Sequence, residues 1–186
     1  MITVSILCGG KSSRMQTEKG LVLYKGKSFI NHIINAVLPI TNNIQLITNG
    51  SDYDFLKYKI VNDLVVDKGP LGGIYSALQS SETELNLILS CDIPLISTEI
   101  VLELIKKHNS NSGISVFEVD NRIHPLIGMY SKKIISVLKQ SIDDNQLKVM
   151  DFLSKTTVQI IPVIGGKREQ FKNINSAIEL NEINNN

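Results

Sequence analysis

The most chemically loaded stretch of the chain is Gly9-Gly10-Lys11-Ser12-Ser13-Arg14, with Lys19 a few positions on. Two adjacent glycines let backbone N–H groups approach an oxyanion closely, and three nearby cations can neutralise phosphate charge. The combination predicts a cradle for a triphosphate. It follows neither of the commoner phosphate-loop patterns. A Walker A loop needs glycine at position 5, where Ser5 stands, and G-x-G-x-x-G is absent. A P-loop kinase and a classical NAD site are thereby disfavoured. On residue types alone, a solvated basic turn after a strand fits the segment equally well.

Asp92 closes the apolar run Leu87-Ile88-Leu89. A carboxylate at a strand end suits Mg²⁺, which takes few protein oxygens and keeps the rest of its shell for phosphate and water. A turn or helix cap is the competing reading, and a polyphosphate loop at a neighbouring strand end favours the metal. Asp63 also follows a short strand, and either accepts hydrogen bonds from a base or ribose or is a plain turn aspartate. Gly69-Pro70-Leu71-Gly72-Gly73 precedes a helix, where permissive backbone can meet a flat base or let the helix press on a sheet. His124, alone beside Pro125, reads from its residue type as structural.

Positioning these loops requires a regular frame. Residues 3–8 form a short apolar, β-branched run broken by Gly9-Gly10, the pattern of a buried strand feeding a loop. After a second apolar stretch at 21–24, Ser28 can cap a helix carrying Phe29, Ile33, Ile34, Val37 and Leu38 at helical spacing. A strand over 44–48 ends in Asn49-Gly50-Ser51-Asp52, and Ile60-Val61 suggests another short one. A helix carrying Leu71, Ile74, Tyr75 and Leu78 and a buried strand at 87–89 follow, and Ser97 opens a further helix. This alternation predicts an α/β three-layer sandwich with a mostly parallel, Rossmann-like sheet, whose ligands sit beyond the carboxyl ends of the strands. The pattern then loosens: 114–119 and 124–130 flank Asp120-Asn121-Arg122 like a small antiparallel hairpin. Helices are expected at 132–142 and 147–155, a strand at 158–163, a last helix from Ser176, and a frayed end at Asn184-Asn185-Asn186.

With 186 residues the chain fits a single domain. Nineteen Lys and Arg against eighteen Asp and Glu leave a net charge of +1, so no global field recruits nucleic acid or an anionic membrane. No apolar stretch approaches the roughly 18 residues of a membrane span, and no basic leader opens the chain, which points to the cytoplasm. Cys8 and Cys91 are too few for a disulfide framework and read as two reduced thiols near the core.

Taken together, the residues resemble a known family. Leu7-Cys8-Gly9-Gly10-Lys11-Ser12-Ser13-Arg14-Met15 with Lys19 is similar to the L-A-G-G-x-S-x-R-M-G-x-D-K signature of molybdenum cofactor guanylyltransferases, Gly69-Pro70-Leu71-Gly72-Gly73-Ile74 to their G-P-L-A-G-I, and Cys91-Asp92-Ile93-Pro94 to their C-D-x-P. His124-Pro125, Lys148-Val149-Met150 and Phe171-Lys172-Asn173-Ile174-Asn175-Ser176 resemble the family's H-P, R-V-M and F-x-N-x-N-T. The departures are Gln16 for glycine, Glu18 for aspartate, Lys148 for arginine and Cys8 for alanine.

The resemblance implies a nucleotidyltransferase fold that moves GMP from GTP, with Mg²⁺, to the terminal phosphate of molybdopterin, bare or already metallated, forming the guanine dinucleotide cofactor. It assigns catalysis to Arg14, Lys19 and Asp92, with Asp92 on the metal. It assigns the nucleotide to Leu7, Cys8, Gly9, Gly10, Lys19, Asn49, Asp63, Pro70, Leu71 and Asp92, and the acceptor to His124, Asn173 and Asn175. A monomer in transient contact with cofactor-synthesis or molybdoenzyme proteins is the accompanying expectation. A cytidylyltransferase or sugar-phosphate nucleotidyltransferase on the same scaffold is the rival enzyme, and a non-catalytic nucleotide-binding delivery module the rival of another class.

Overall fold

The computed structural model describes residues 1–8, 18–163 and 165–184. Gly9, Gly10, Lys11, Ser12, Ser13 and Arg14 of the glycine-and-cation segment, and the closing Asn185-Asn186, lie outside the described residues.

In chain order the elements are β1 (Ile2–Leu7), β2 (Leu23–Tyr24), β3 (Lys27–Ser28), α1 (Phe29–Val37), β4 (Ile44–Ile47), β5 (Lys59–Val61), α2 (Gly69–Ser80), β6 (Leu85–Ser90) and α3 (Thr98–Lys107). They continue with β7 (Ile114–Val119), β8 (Arg122–Ser131), α4 (Ile135–Asp143), α5 (Val149–Leu153), β9 (Val158–Pro162) and α6 (Ala177–Asn184). The main sheet has seven strands in the order β5-β4-β1-β6-β8-β7-β9. β5, β4, β1 and β6 are mutually parallel, β8 runs against both its neighbours, and β9 is parallel to β7.

Period-two patterning explains the layers. Val4, Ile6 and Cys8 of the first strand's run face one core with Leu87 and Leu89, packed under α1 (Ile30, Ile33, Ile34, Val37) and α3 (Ile100, Val101, Leu104). Leu7 and Ile88 face the opposite core with α2 (Leu71, Ile74, Ala77, Leu78), α4 (Leu138, Ile142) and α5 (Phe152, Leu153). The expected three-layer sandwich is therefore present. Each fully buried aliphatic side chain stabilises it by about 1.5–3 kcal/mol.

Ser97 caps α3 as expected, its hydroxyl accepting from Ile100 N at 3.4 Å, and Lys106 and Lys107 suit the negative end of that helix. Ser28 occupies the N-cap position of α1, but its hydroxyl makes no cap bond and is buried without a partner. The residue is also paired as a strand: β3 lies antiparallel to β2, joined through Lys25 and Gly26 at positive φ. The hairpin expected over 114–130 exists, turning through Asp120 and Asn121 at φ 49° and 62°. Its second strand is inserted into the main sheet, between β6 and β7.

Candidate active site

Because β5, β4, β1 and β6 are parallel, their carboxyl ends share one edge of the sheet. From β1 the chain winds outward to β4 and β5, then returns to β6 on β1's other side, so the topological switch falls between β1 and β6. Leu7 and Ser90 are register partners there, and Cys91 N donates to Leu7 O at 3.1 Å. β1 is the strand that precedes the glycine-and-cation segment in sequence, and Asp92 follows β6, the register neighbour of β1.

Lys19 opens a short 3₁₀ turn, Lys19–Leu21, and its Nζ donates to Asp92 Oδ2 at 2.7 Å and to Asn175 Oδ1. Asn173 Nδ2 donates to the same Asp92 oxygen at 2.9 Å, and Ile174 N donates to Asp92 O at 2.9 Å. Segment 173–175 is thus tied to Asp92 by main chain and side chains together. Asp92 is only 6% exposed, and its Oδ1 is buried without a partner. A buried carboxylate with one neutralised oxygen and one unpartnered oxygen is poised to accept a further cation.

Among the described residues no three His, Cys, Asp or Glu side chains converge as a metal cage. Asp92 with its unpartnered Oδ1, and the Asn175 amide oxygen, instead form a sparse all-oxygen set. That set fits Mg²⁺, which is held by one or two carboxylates and completes its shell with substrate phosphate and water.

Along the edge toward β5, Asn49 and Asp63 form a reciprocal pair. Asn49 Nδ2 donates to Asp63 Oδ2 at 3.1 Å, and Asp63 N donates to Asn49 Oδ1 at 2.8 Å. Asp63 Oδ1 is buried and unpartnered, and burial pushes this carboxyl above its usual range, an effect the Asn49 bond partly offsets. Leu7 and Leu71 carry buried side chains in the α2-side core, so only their main chains are left for a ligand, whereas Pro70 is exposed. The glycines that follow serve packing. A Cβ on Gly72 would lie 3.0 Å from Val65 O, and one on Gly73 3.3 Å from Leu7 Cδ2, so α2 can seat its first turn on the end of β1. Cys8 and Cys91 are free and buried. Burial, then the Asp92 charge, push the Cys91 thiol up to about 12, and burial raises Cys8 well above its usual value. Both thiols are neutral and unreactive.

On the other side of the Lys19–Asp92 pair lies a cavity of about 470 Å³, bordered by His124, Phe171, Asn173 and Asn175. It therefore shares Asn173 and Asn175 with that pair. His124 is half-buried, its ring centroid 5.3 Å from that of Phe171, and burial followed by the Arg122 charge lowers its pKa, keeping the imidazole neutral. Arg122, Arg168 and Lys172 also border the cavity, and no motif singled them out. Lys172 is paired with Glu182 at 2.7 Å. Lys148, exposed at the start of α5, is not among the cavity residues.

Sequence reasoning also missed Glu179. Its Oε2 accepts from Asn175 N at 2.7 Å and from Ser176 Oγ at 3.1 Å, while Glu179 N donates to Ser176 Oγ at 3.3 Å. Ser176-Ala177-Ile178-Glu179 is a capping box whose acid reaches one residue further back, and it orients the asparagine that meets Lys19.

A family model described as a MobA-like NTP transferase domain matches residues 4–159. A protein of Flavobacterium johnsoniae named "Probable molybdenum cofactor guanylyltransferase" is 58% identical over 98% of this chain and 96% of its own length. One of the same name from Carboxydothermus hydrogenoformans is 34% identical over 86% of this chain and 81% of its own. The crystal structure of molybdopterin-guanine dinucleotide biosynthesis protein A from Archaeoglobus fulgidus has the same fold, with a TM-score of 0.82 at 21% identity over 100% of this chain and 97% of that one.

Proposed function

The chain belongs to the MobA-like NTP transferase family, and on that footing we propose that it transfers GMP from GTP to the terminal phosphate of molybdopterin, releasing pyrophosphate. The observation that carries this reading is the convergence of Lys19, Asp92 and Asn175 at the β1/β6 switch point, between the strand edge that holds the Asn49–Asp63 pair and a separate cavity.

The attacking phosphate is already an anion at neutral pH, so the reaction calls for positioning and charge stabilisation rather than a general base. Lys19 carries its ammonium at the junction of the two halves, where it can turn from Asp92 to the triphosphate. Asp92 and Asn175 would hold Mg²⁺. Bound there, the ion neutralises charge on the phosphate oxygens and so stabilises the transferring group. The Asn49–Asp63 pair offers a carboxylate oxygen to the donor N–H groups of guanine. His124 and Phe171 present a neutral imidazole and an aromatic wall to a planar acceptor, and Asn173 steadies Asp92. Gly9, Gly10 and Arg14 complete the triphosphate cradle in this proposal. A single nucleotidyltransferase domain working as a cytoplasmic monomer, and passing its product on through transient contacts, is part of the same proposal. No helix among the described residues is long and apolar enough to cross a membrane.

The deciding experiment is pyrophosphate release from GTP, CTP, ATP and UTP in the presence of Mg²⁺ and molybdopterin. Release with GTP alone is the expected result. Preference for CTP would move the chain to the cytidylyltransferases, and nucleotide binding without release would make it a delivery module.

A further inference from the structure

Tyr53 lies just beyond β4, outside every motif of the chain, and is fully buried. Its hydroxyl donates to Glu18 Oε1 at 2.9 Å. Glu18 immediately precedes Lys19, and the other neighbour of Lys19 is governed by the same ring. A Cβ on Gly20 would fall 2.4 Å from the Tyr53 hydroxyl oxygen and 3.1 Å from Cε1 and Cζ. Only glycine fits against that face.

Lys19 is therefore bracketed by two residues seated on one buried side chain. The bracket is reinforced by Leu21 N donating to Glu18 O at 3.0 Å, which closes the turn that carries the lysine. Cys8, the last described residue before the glycine-and-cation segment, belongs to the same buried core cluster as Tyr53, and its thiol donates to Ile6 O at 3.5 Å.

The chemistry suits a fixed latch. Burial pushes the phenol far up, so it remains a donor at any working pH, while burial also raises the half-buried Glu18 carboxyl, an effect the bond from Tyr53 partly offsets. A lysine side chain has four rotatable bonds and little intrinsic placement, so its aim depends on how its main chain is held.

We propose that Tyr53 is a positioning residue for nucleotidyl transfer, seating the residues on both sides of Lys19 and so fixing the reach of Lys19 between Asp92 and the triphosphate. The proposal rests on the transfer reading given above.

The test is a double-mutant cycle on the full chain with Tyr53→Phe, which keeps the ring and removes the hydroxyl, and Lys19→Gln. Tyr53→Phe should keep the melting temperature close to that of the parent and the KM for molybdopterin unchanged, and lose about tenfold in kcat/KM for GTP. Against Lys19→Gln the same change should add less than about twofold, because the residue it acts through is gone. Glu18→Ala, which removes the acceptor at a half-buried position and leaves the ring and Gly20 in place, should behave alike and decides the matter if Tyr53→Phe does not fold. Full multiplication of the Tyr53 and Lys19 losses, or a Tyr53→Phe enzyme within about twofold of the parent, would overturn the proposal. The cycle is read in parallel as Mg²⁺·GTP affinity by calorimetry. A parent chain that binds GTP and never releases pyrophosphate defeats the transfer reading alone, and the affinity cycle still decides Tyr53.

Discussion

Replacing Asp92 by asparagine separates what the site does for folding from what it does for reaction. The substitution keeps the shape of the side chain and removes its charge. In the folded chain Asp92 Oδ2 takes bonds from Lys19 and Asn173, and the side chains of the ion pair are 18% (Lys19) and 9% (Asp92) exposed. Breaking a fully buried pair from one side costs about 3–5 kcal/mol, while an exposed pair contributes about 0–1 kcal/mol. Lys19 still touches water and keeps Asn175 as an acceptor, and a neutral amide at position 92 no longer suffers the desolvation of a carboxylate. The loss of stability should therefore be about 1–2 kcal/mol, a fall in melting temperature of roughly 2–8 °C for a chain of this size. Transfer loses far more, because the anion that both orients Lys19 and would hold the metal is gone. A drop of at least about 10³-fold in kcat, or about 4 kcal/mol, is expected. Calorimetric unfolding measures the first quantity and pyrophosphate release with Mg²⁺ the second. A variant that melts as expected yet keeps a tenth of the parent turnover would refute the assignment of Asp92 to the reaction.

Three further changes probe the surroundings. Asp63→Asn should weaken GTP binding by about 1–3 kcal/mol through loss of a buried acceptor and leave pyrimidine nucleotides unaffected; an equal loss for all four nucleotides by calorimetry would take Asp63 out of base recognition. Glu179→Ala should cost about 1 kcal/mol of stability as a lost cap, and should also raise the Mg²⁺ concentration needed for half-maximal turnover, since Asn175 N and Ser176 Oγ lose their shared acceptor. An unchanged metal requirement would mean that Asn175 is oriented by something else. Burial lowers the pKa of His108, which shares a 2.8 Å bond with Ser115 Oγ and keeps Nε2 buried without a partner, so the folded state holds it neutral. The unfolded chain then binds more protons around pH 6.5, and stability should be full above that value and decline as pH falls through it. His108→Gln should flatten this slope in melting curves between about pH 8 and 5, and parallel curves for parent and variant would exclude His108 as its source.

The fold is legible where side-chain periodicity and cap chemistry agree. Residues 3–8, 44–48 and 87–89 read as buried strands because β-branched and aliphatic residues fill both faces, and the helix after Ser97 is signalled by its cap. The departures are local. Ser28 carries the right residue type for a cap, yet its own pairing with Leu23 in the small β2–β3 sheet turns the hydroxyl away from the helix N–H groups. The strand over 122–131 reads as half of a hairpin, and nothing in its sequence tells that β6 lies on its other side. That pairing joins segments about forty residues apart in sequence, and local patterning carries no record of it.

The site divides along the same line. Lys19, Asp92 and the Asn173–Asn175 segment are each visible as motif residues, but 73 and 156 positions separate Lys19 from its two acceptors. Their meeting depends on the parallel register that sets Leu7 beside Ser90 and on the main-chain bond from Ile174 to Asp92. A resemblance can name such residues, yet it says nothing of what aims them. Glu179 is recoverable, since Ser176 with an acid three residues on is a capping pattern readable without coordinates. Tyr53 is not: a lone aromatic beside a turn is usually core, and only its contact with both neighbours of Lys19 gives it a role. Residues that supply charge are thus constrained in type and leave a local trace, whereas those that hold the charge in place are constrained by shape and distance, which only the folded chain displays.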